Sequence, residues 1–410
     1  MLKRLTELMK GRPTEEDPQA ARWRREGEAK GRAEALAPFV HPSFMHLPVN
    51  VKTAPGRILE VDDHTSPRAR EAVRRVVAAY HAAIAESPDL ENGLWENIEK
   101  SSAKGAFFRG LKKRDHDEVG RWLGRMFQCD LTWGLGKVHE SMPANMRENP
   151  RDSLIQTRCT DAVVSLAQAC GVLPIVSVQH QGFEPLLREL DVNVDEVLRQ
   201  TEVQLGLNVA CPEVGGGYGC TINGRFVSID SLVHSYTVYR VGQLGMKADS
   251  RIAEIGGGDG CLAALMYRAG YRAYEVFDLP WVNVLQGYFL LMTLPPEEVR
   301  LFGEGGGSVV LTPCWRFDAL AEKSVDCVIN TDSLPEMPVV VRENYIRQIH
   351  RVLRGVFLSI NQESGLKLPG LDPQDAVRPM VDRHGGFVNL ARSRSWLVQG
   401  YVDEVFAPRR

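Results

Sequence analysis

Residues 251–270, RIAEIGGGDGCLAALMYRAG, read as an apolar strand, a glycine turn and an apolar helix stopped by Gly270. This stretch constrains the fold more than any other in the chain. Glycines between a buried strand and a helix leave the helix's free N–H groups facing the turn, where they can hold a ligand. The rhythm then repeats, with short apolar strands at 252–255, 273–277, 308–311, 325–330 and 355–360 and helical patterns at 260–269, 280–293 and 338–353. Such alternation is that of a parallel sheet with helices on both faces. The tail differs: GFVNLARS and WLVQGYVDEVFA are strand-like with no helix between them, so an antiparallel pair is expected at one sheet edge. The expected fold class is α/β, a Rossmann-like sheet in the C-terminal half.

A chain of 410 residues is long enough for two units, and the first half has a different character. Ser66 is an N-cap candidate and Pro67 fits the first helical position of a helix ending near Glu86. Further helical patterns lie at 117–128, 152–170 and 193–205. Three segments are expected: a charged, proline-punctuated and mobile stretch at 1–65, a mainly helical acceptor-binding and lid region at 66–244, and a cofactor-binding domain at 245–410. GEGGGS (303–308) reads as a flexible connection.

A net charge of −3 supplies no electrostatic reason to bind nucleic acid or an anionic membrane. No apolar run is long enough to span a bilayer, and MLKRLTELMKGR lacks the apolar stretch of a secretion signal. The eight cysteines are scattered without a C-x-x-C pair, and are expected to be free thiols of a cytoplasmic protein.

Two glycine loops compete for a nucleotide, EVGGGYG (213–219) and EIGGGDG (254–260). Pro212 interrupts the approach to the first, which continues into the Asn-Gly of a β-hairpin, so it reads as a structural turn. The second parses as G-x-G-x-G behind Glu254, or as the dinucleotide pattern G-x-G-x-x-A ending at Ala263. Charge separates the two. Asp259 would repel a pyrophosphate at the mouth of the loop, whereas Glu254 and Asp259 suit the sulfonium and ammonium of S-adenosylmethionine. Asp278, 20 residues beyond Gly258, can accept from the hydroxyls of an adenosine ribose in either case.

These residues resemble the class I S-adenosylmethionine-dependent methyltransferases and, more narrowly, the bacterial sugar O-methyltransferases. The narrower likeness rests on RIAEIGGGDG, FDLPWVNVLQGYFL, VINTDSLPEM, FLSINQES and SRSWLVQGYVDEVF, and covers about 230 to 406. It implies a class I methyltransferase sheet with a reversed edge strand, in agreement with the antiparallel tail. It also implies cofactor contacts from Gly256, Gly258 and Asp278, and places Asn330 to Met337 beside the transferred methyl group. The candidate cofactor set is Glu254, Gly256, Gly257, Gly258, Asp278, Leu279 and Asn330. The implied reaction methylates a sugar hydroxyl of a small-molecule or saccharide acceptor. Its rivals are a natural-product hydroxyl or amine acceptor, a non-catalytic S-adenosylmethionine-binding partner subunit and, last, a dinucleotide-dependent reductase.

A sugar hydroxyl is a poor nucleophile, so a general base, or a magnesium ion that polarises the hydroxyl, is expected. Ligands of open α/β sheets bind at strand carboxyl ends. The catalytic candidates are therefore Asp332 and Glu336 after the fourth strand, followed by Asn361, Gln362 and Glu363 after the fifth. The alternative is that Glu336 caps a helix and Asn361 closes a turn. His234 lies in IDSLVHSYTVYRVGQLG, an amphipathic helix with Leu232, Val233, Tyr236 and Tyr239 on its apolar side. In the resembled family a helix there lids the cofactor. His180 falls on a loop of the helical half. His350, Tyr267, Arg268 and Val339 to Val341 read as helix faces with structural parts.

Overall fold

A computed structural model describes residues 51–52, 54–87, 104–132, 154–175, 192–363, 365 and 373–409. The expectations for 1–50 and for His180 lie outside the described residues. In chain order the strands and helices are β1 (Val51–Lys52), β2 (Gly56–Leu59), α1 (Pro67–Glu86), α2 (Gly105–Lys113), α3 (His116–Leu123), α4 (Leu154–Ala169), β3 (Val192–Asn193), α5 (Val194–Leu205), β4 (Gly217–Ile222), β5 (Arg225–Val227) and α6 (Ile229–Gln243). The second half continues with β6 (Ile252–Ile255), α7 (Cys261–Arg268), β7 (Tyr274–Asp278), α8 (Pro280–Thr293), β8 (Val299–Arg300), β9 (Val309–Pro313), β10 (Val325–Thr331), α9 (Val339–Val352), β11 (Leu353–Gln362), α10 (Val377–His384), β12 (Phe387–Arg394) and β13 (Tyr401–Pro408).

Eight strands form one sheet in the order β12-β13-β11-β10-β6-β7-β9-β8. All pairings from β11 to β8 are parallel, while β13 runs antiparallel to both β11 and β12. The fold is the Rossmann-like α/β sheet expected from the sequence, with one refinement. The reversed strand is not outermost, because β13 inserts between β11 and β12. Successive crossovers leave β6 in opposite directions, toward β7 on one side and β10 on the other, so the topological switch point lies between β6 and β10.

The sheet buries both faces. Ile252, Ile329 and Leu358 point into a core shared with α1, α4, α6, α7 and α8, whereas Ala253, Val328 and Phe357 face α9 and α10. α8 lies between the sheet and α1, which explains why its sequence is apolar on nearly every side. A Cβ on Gly287 would stand 2.8 Å from Val76 Cγ1, so the absence of a side chain permits the close α1–α8 crossing. Arg68 of α1 donates to the carbonyls of Leu291 and Leu294 at 2.8 and 2.6 Å. α1 begins as predicted, with the Ser66 hydroxyl accepting from Ala69 N–H and Pro67 opening the helix.

Two sequence expectations need correction. GEGGGS is anchored rather than loose, because Glu304 accepts from Arg75 at 2.9 and 2.6 Å and from Leu301 N–H at 3.0 Å. α6 is not amphipathic. Ser231, Ser235, Thr237, Val238 and Val241 are buried along with Leu232 and Tyr236, since α4, α7 and β13 enclose the helix.

β13 is held from both faces through consecutive buried carboxylates. Asp403 accepts from Tyr236 Oη at 2.8 Å and Arg240 Nε at 2.7 Å on α6, and Glu404 accepts from Arg392 Nη1 at 2.9 Å. All eight cysteines are free thiols. Among the described residues no helix is long and apolar enough to cross a membrane.

Candidate active site

β6 delivers Glu254 and then the glycine loop. The Gly256 N–H donates to Phe277 O at 3.0 Å, tying the loop to the end of β7. Gly256 and Gly258 have φ of +72° and +56°, and a Cβ on Gly256 would lie 2.2 Å from Ser333 Oγ. A side chain at Gly256 does not fit this turn without displacing Ser333, just beyond β10. Asp259 turns its carboxylate to the first N–H of α7, accepting from Cys261 at 2.8 Å, one residue ahead of the Gly260 N-cap.

The loop is held by Asp278 at the end of β7. Its carboxylate accepts from Leu279 N–H at 2.8 Å, from Gln286 Nε2 at 2.7 Å and from the Gly257 and Gly258 N–H groups. Burial pushes its pKa up to about 6 against the pull of those donors. Glu254 is 1% exposed and accepts from Tyr274 Oη at 2.9 Å. Burial raises it to about 8, with the Tyr274 bond opposing and the Asp278 and Asp259 charges reinforcing the rise. The structure thus brings Glu254, Gly256, Gly257, Gly258, Asp278 and Leu279 together.

Gln286 is a site residue that the sequence reading missed. Fully buried on α8, it bridges Asp278 Oδ2 and the Gly258 carbonyl, the latter at 3.1 Å. Its signal was a lone glutamine two turns into an apolar helix. Asn330 lies at the same place but faces inward. Its amide donates to Ile255 O at 2.8 Å and Ser333 Oγ at 2.5 Å, and its Oδ1 accepts from Leu334 N–H at 3.3 Å. It braces the ends of β6 and β10 across the switch point.

Beyond Asn330 the chain turns through Asp332, whose φ is +58°, into a short 3-10 turn, Leu334–Glu336. Burial raises Asp332 to about 6, opposed by a hydrogen bond from Tyr401 Oη to Oδ1. Burial and the Asp332 charge raise Glu336 to about 7. Glu336 therefore belongs to a turn ahead of α9, whose N-cap is Pro338, and does not cap that helix. Asn361 donates to Asn330 O at 3.2 Å and Ser359 Oγ at 2.8 Å, Gln362 to Gln374 Oε1 at 2.6 Å, and Glu363 pairs with Arg392. His234 is half-buried on α6.

The other sequence candidates have structural parts. His350 packs tilted against His384 and edge-on to Phe387, with ring centroids 4.9 and 5.3 Å away. Arg268 donates to Ala210 O at 2.6 Å, and Tyr267 lies under Arg272. In EVGGGYG, Gly215 and Gly216 wrap around Phe127 and Gln128, and Gly217 opens β4. An Asn223–Gly224 turn with φ of +52° and +72° then leads into β5. No helix follows that loop to offer free N–H groups.

No family model matches the chain, and no curated protein matches it. Among solved structures, it is similar to the glycopeptide N-methyltransferase MtfA complexed with sinefungin, at 13% identity and TM-score 0.33, over 43% of this chain and 94% of that one. The Burkholderia thailandensis 1,6-didemethyltoxoflavin-N1-methyltransferase matches at 17% identity and TM-score 0.31, over 43% and 78%. The ribosomal protein L11 methylase of Lactobacillus delbrueckii subsp. bulgaricus matches at 13% and 0.29, over 44% and 78%.

Proposed function

We propose that this chain is an S-adenosylmethionine-dependent methyltransferase acting on a sugar hydroxyl. One observation carries the reading: at the switch point, the glycine loop of β6 and the Asp332–Glu336 turn of β10 meet through Asn330 and Ser333. The donor side fits the cofactor. Burial raises Glu254 and the Asp278 and Asp259 charges add to that rise; a cation relieves their crowding where a pyrophosphate would worsen it. Gly256, Gly257, Gly258, Asp278 and Leu279 would hold the adenosine and Glu254 would face the charged end, with Asn330 and Gln286 fixing the loop.

When bound, S-adenosylmethionine supplies a methyl group already activated by its sulfonium. The protein's part is alignment, exclusion of water and reception of the acceptor's proton. Asp332 and Glu336 are the groups placed for that proton, with His234 of α6 as the next candidate. Among the described residues no group of three histidine, cysteine or acidic side chains is arranged to hold a metal. A magnesium requirement is tested by chelator and add-back. The same carboxylate pair favours a second reading, an amine on a natural-product acceptor that gives up a proton to the pair before its nitrogen takes the methyl group.

Calorimetry with S-adenosylmethionine, S-adenosylhomocysteine and NADH tests the cofactor assignment, and binding of NADH alone would overturn it. Labelled S-adenosylmethionine with nucleotide sugars, glycosides, amines and cell extract, followed by mass spectrometry, tests the acceptor. A methylated hydroxyl supports the first reading and a methylated amine the second. Cofactor binding with no methylated product from any acceptor would leave a non-catalytic binding subunit.

A further inference from the structure

The reversed strand contributes a residue to the acceptor side that the sequence reading did not anticipate. Tyr401 opens β13 and pairs with Gln362, the last residue of β11, so β13 enters the sheet where its antiparallel neighbour leaves it. From there its hydroxyl donates to Asp332 Oδ1. Asp332 is fixed from a second direction, because its backbone N–H donates to Ile360 O at 3.2 Å while its φ stays in the left-handed region. Glu336 is held separately. Arg342 of α9 is 4% exposed, and its Nη1 donates to the carbonyls of Pro335 and Met337, on either side of Glu336, and of Pro373. The two carboxylates thus have unlike supports: a hydroxyl donor on Asp332 itself, and a cation that grips only the backbone around Glu336.

We propose that Tyr401 is a positioning residue that gives the two carboxylates different roles, holding Asp332 ionised as the proton acceptor and leaving Glu336 protonated as a hydrogen-bond donor to the acceptor molecule. The assignment rests on the methyltransferase reading above. In the reaction the acceptor's O–H proton passes to Asp332 as the new O–CH3 bond forms, and the S–CH3 electron pair stays on sulfur, leaving a neutral thioether. The titration properties of the pair agree. Burial raises both carboxyls; the Tyr401 bond opposes that rise in Asp332, and the Asp332 charge adds to it in Glu336. Tyr401, Asp332 and Glu336 act on one another, and Arg342 approaches through the turn's backbone.

The test is a carboxyl ¹³C NMR titration of the full chain labelled at aspartate and glutamate side chains, between pH 4 and 9. Asp332→Asn and Glu336→Gln assign the two signals. Tyr401→Phe should move the Asp332 midpoint up by about one pH unit, the size expected for loss of a hydrogen bond to the charged form. Asp332→Asn should lower the Glu336 midpoint. A merely structural Tyr401 would leave the Asp332 midpoint unchanged in a folded variant, and that result overturns the proposal, as does an unmoved Glu336 midpoint in Asp332→Asn. If Tyr401→Phe does not fold, Tyr401→Met removes the same hydroxyl. Calorimetry with S-adenosylmethionine on the same samples keeps the outcomes apart: failed binding refutes the methyltransferase reading, while an unmoved titration with intact binding refutes only the role of Tyr401.

Discussion

Replacing Glu254 by glutamine removes a charge but keeps an acceptor for the Tyr274 hydroxyl, which isolates the electrostatic cost of that buried carboxyl. Below pH 4.5 the group is protonated both folded and unfolded and costs nothing. As pH rises through 4.5 the unfolded chain releases its proton while the folded protein keeps its own, so stability falls until about pH 8 and is level above it. At about 1.4 kcal/mol for each pH unit between 4.5 and about 8, the loss reaches a ceiling of ~5 kcal/mol. Glu254→Gln has no such loss, so the stability gap between variant and wild type should widen in the variant's favour by several kcal/mol across that range. Urea unfolding followed by tryptophan fluorescence at pH 5, 6, 7 and 8 measures the gap directly. A gap of constant size would show that Glu254 titrates at its ordinary value in the folded protein, and the buried, proton-holding carboxyl would be refuted.

Other expectations concern the loop, the acceptor side and the fold. Asp278→Ala should weaken S-adenosylmethionine binding by about 1.5–3 kcal/mol in calorimetry, the range for hydrogen bonds to a charged group, and Gln286→Leu should weaken it too because Gly258 and Asp278 lose their bridge. Gly258→Val should abolish cofactor binding, while Gly217→Val, if folded, should leave it measurable; equal loss in both would mean the wrong loop was chosen. At least one of Asp332→Asn and Glu336→Gln, the first by the roles assigned above, should cost on the order of a hundredfold in turnover with cofactor affinity retained, and full turnover by both would move the base to His234. Arg240→Met should destabilise the protein by about 3–5 kcal/mol in urea unfolding, since it leaves the buried Asp403 without its cation. A loss under about 1 kcal/mol would place that pair among exposed ones.

The sheet was legible because its signals are local. β6, the glycine loop and α7 follow one another within twenty residues, and β7, β9, β10 and β11 are each a short apolar run. α10 and the two-residue β8 went unread, the first for its weak apolar face and the second for its length. The place of β13 was hidden for a different reason, since local pattern cannot tell which neighbour a strand will choose. At the site, Glu254 and Asp278 were legible from their distance to the glycines. Tyr401 was not, because its partner Asp332 lies 69 positions away and nothing near it in the chain is unusual. Asn330 was found at the right place with a different task, as its strand-end position was readable but the direction of its amide was not.

Asp403 and Glu404 stand next to each other on a strand whose successive side chains point to opposite faces. Each meets its arginine at a set depth, Arg240 from α6 and Arg392 from β12. The strand is thereby keyed like a lock with wards on both sides. A slip of one residue would swing both carboxylates to the wrong faces, along with Val405 and Phe406, and strand each charge in an apolar layer. Two buried acids can therefore fix the frame in which the inserted strand is read, and so decide that Tyr401, rather than Gly400 or Val402, arrives beside Asp332.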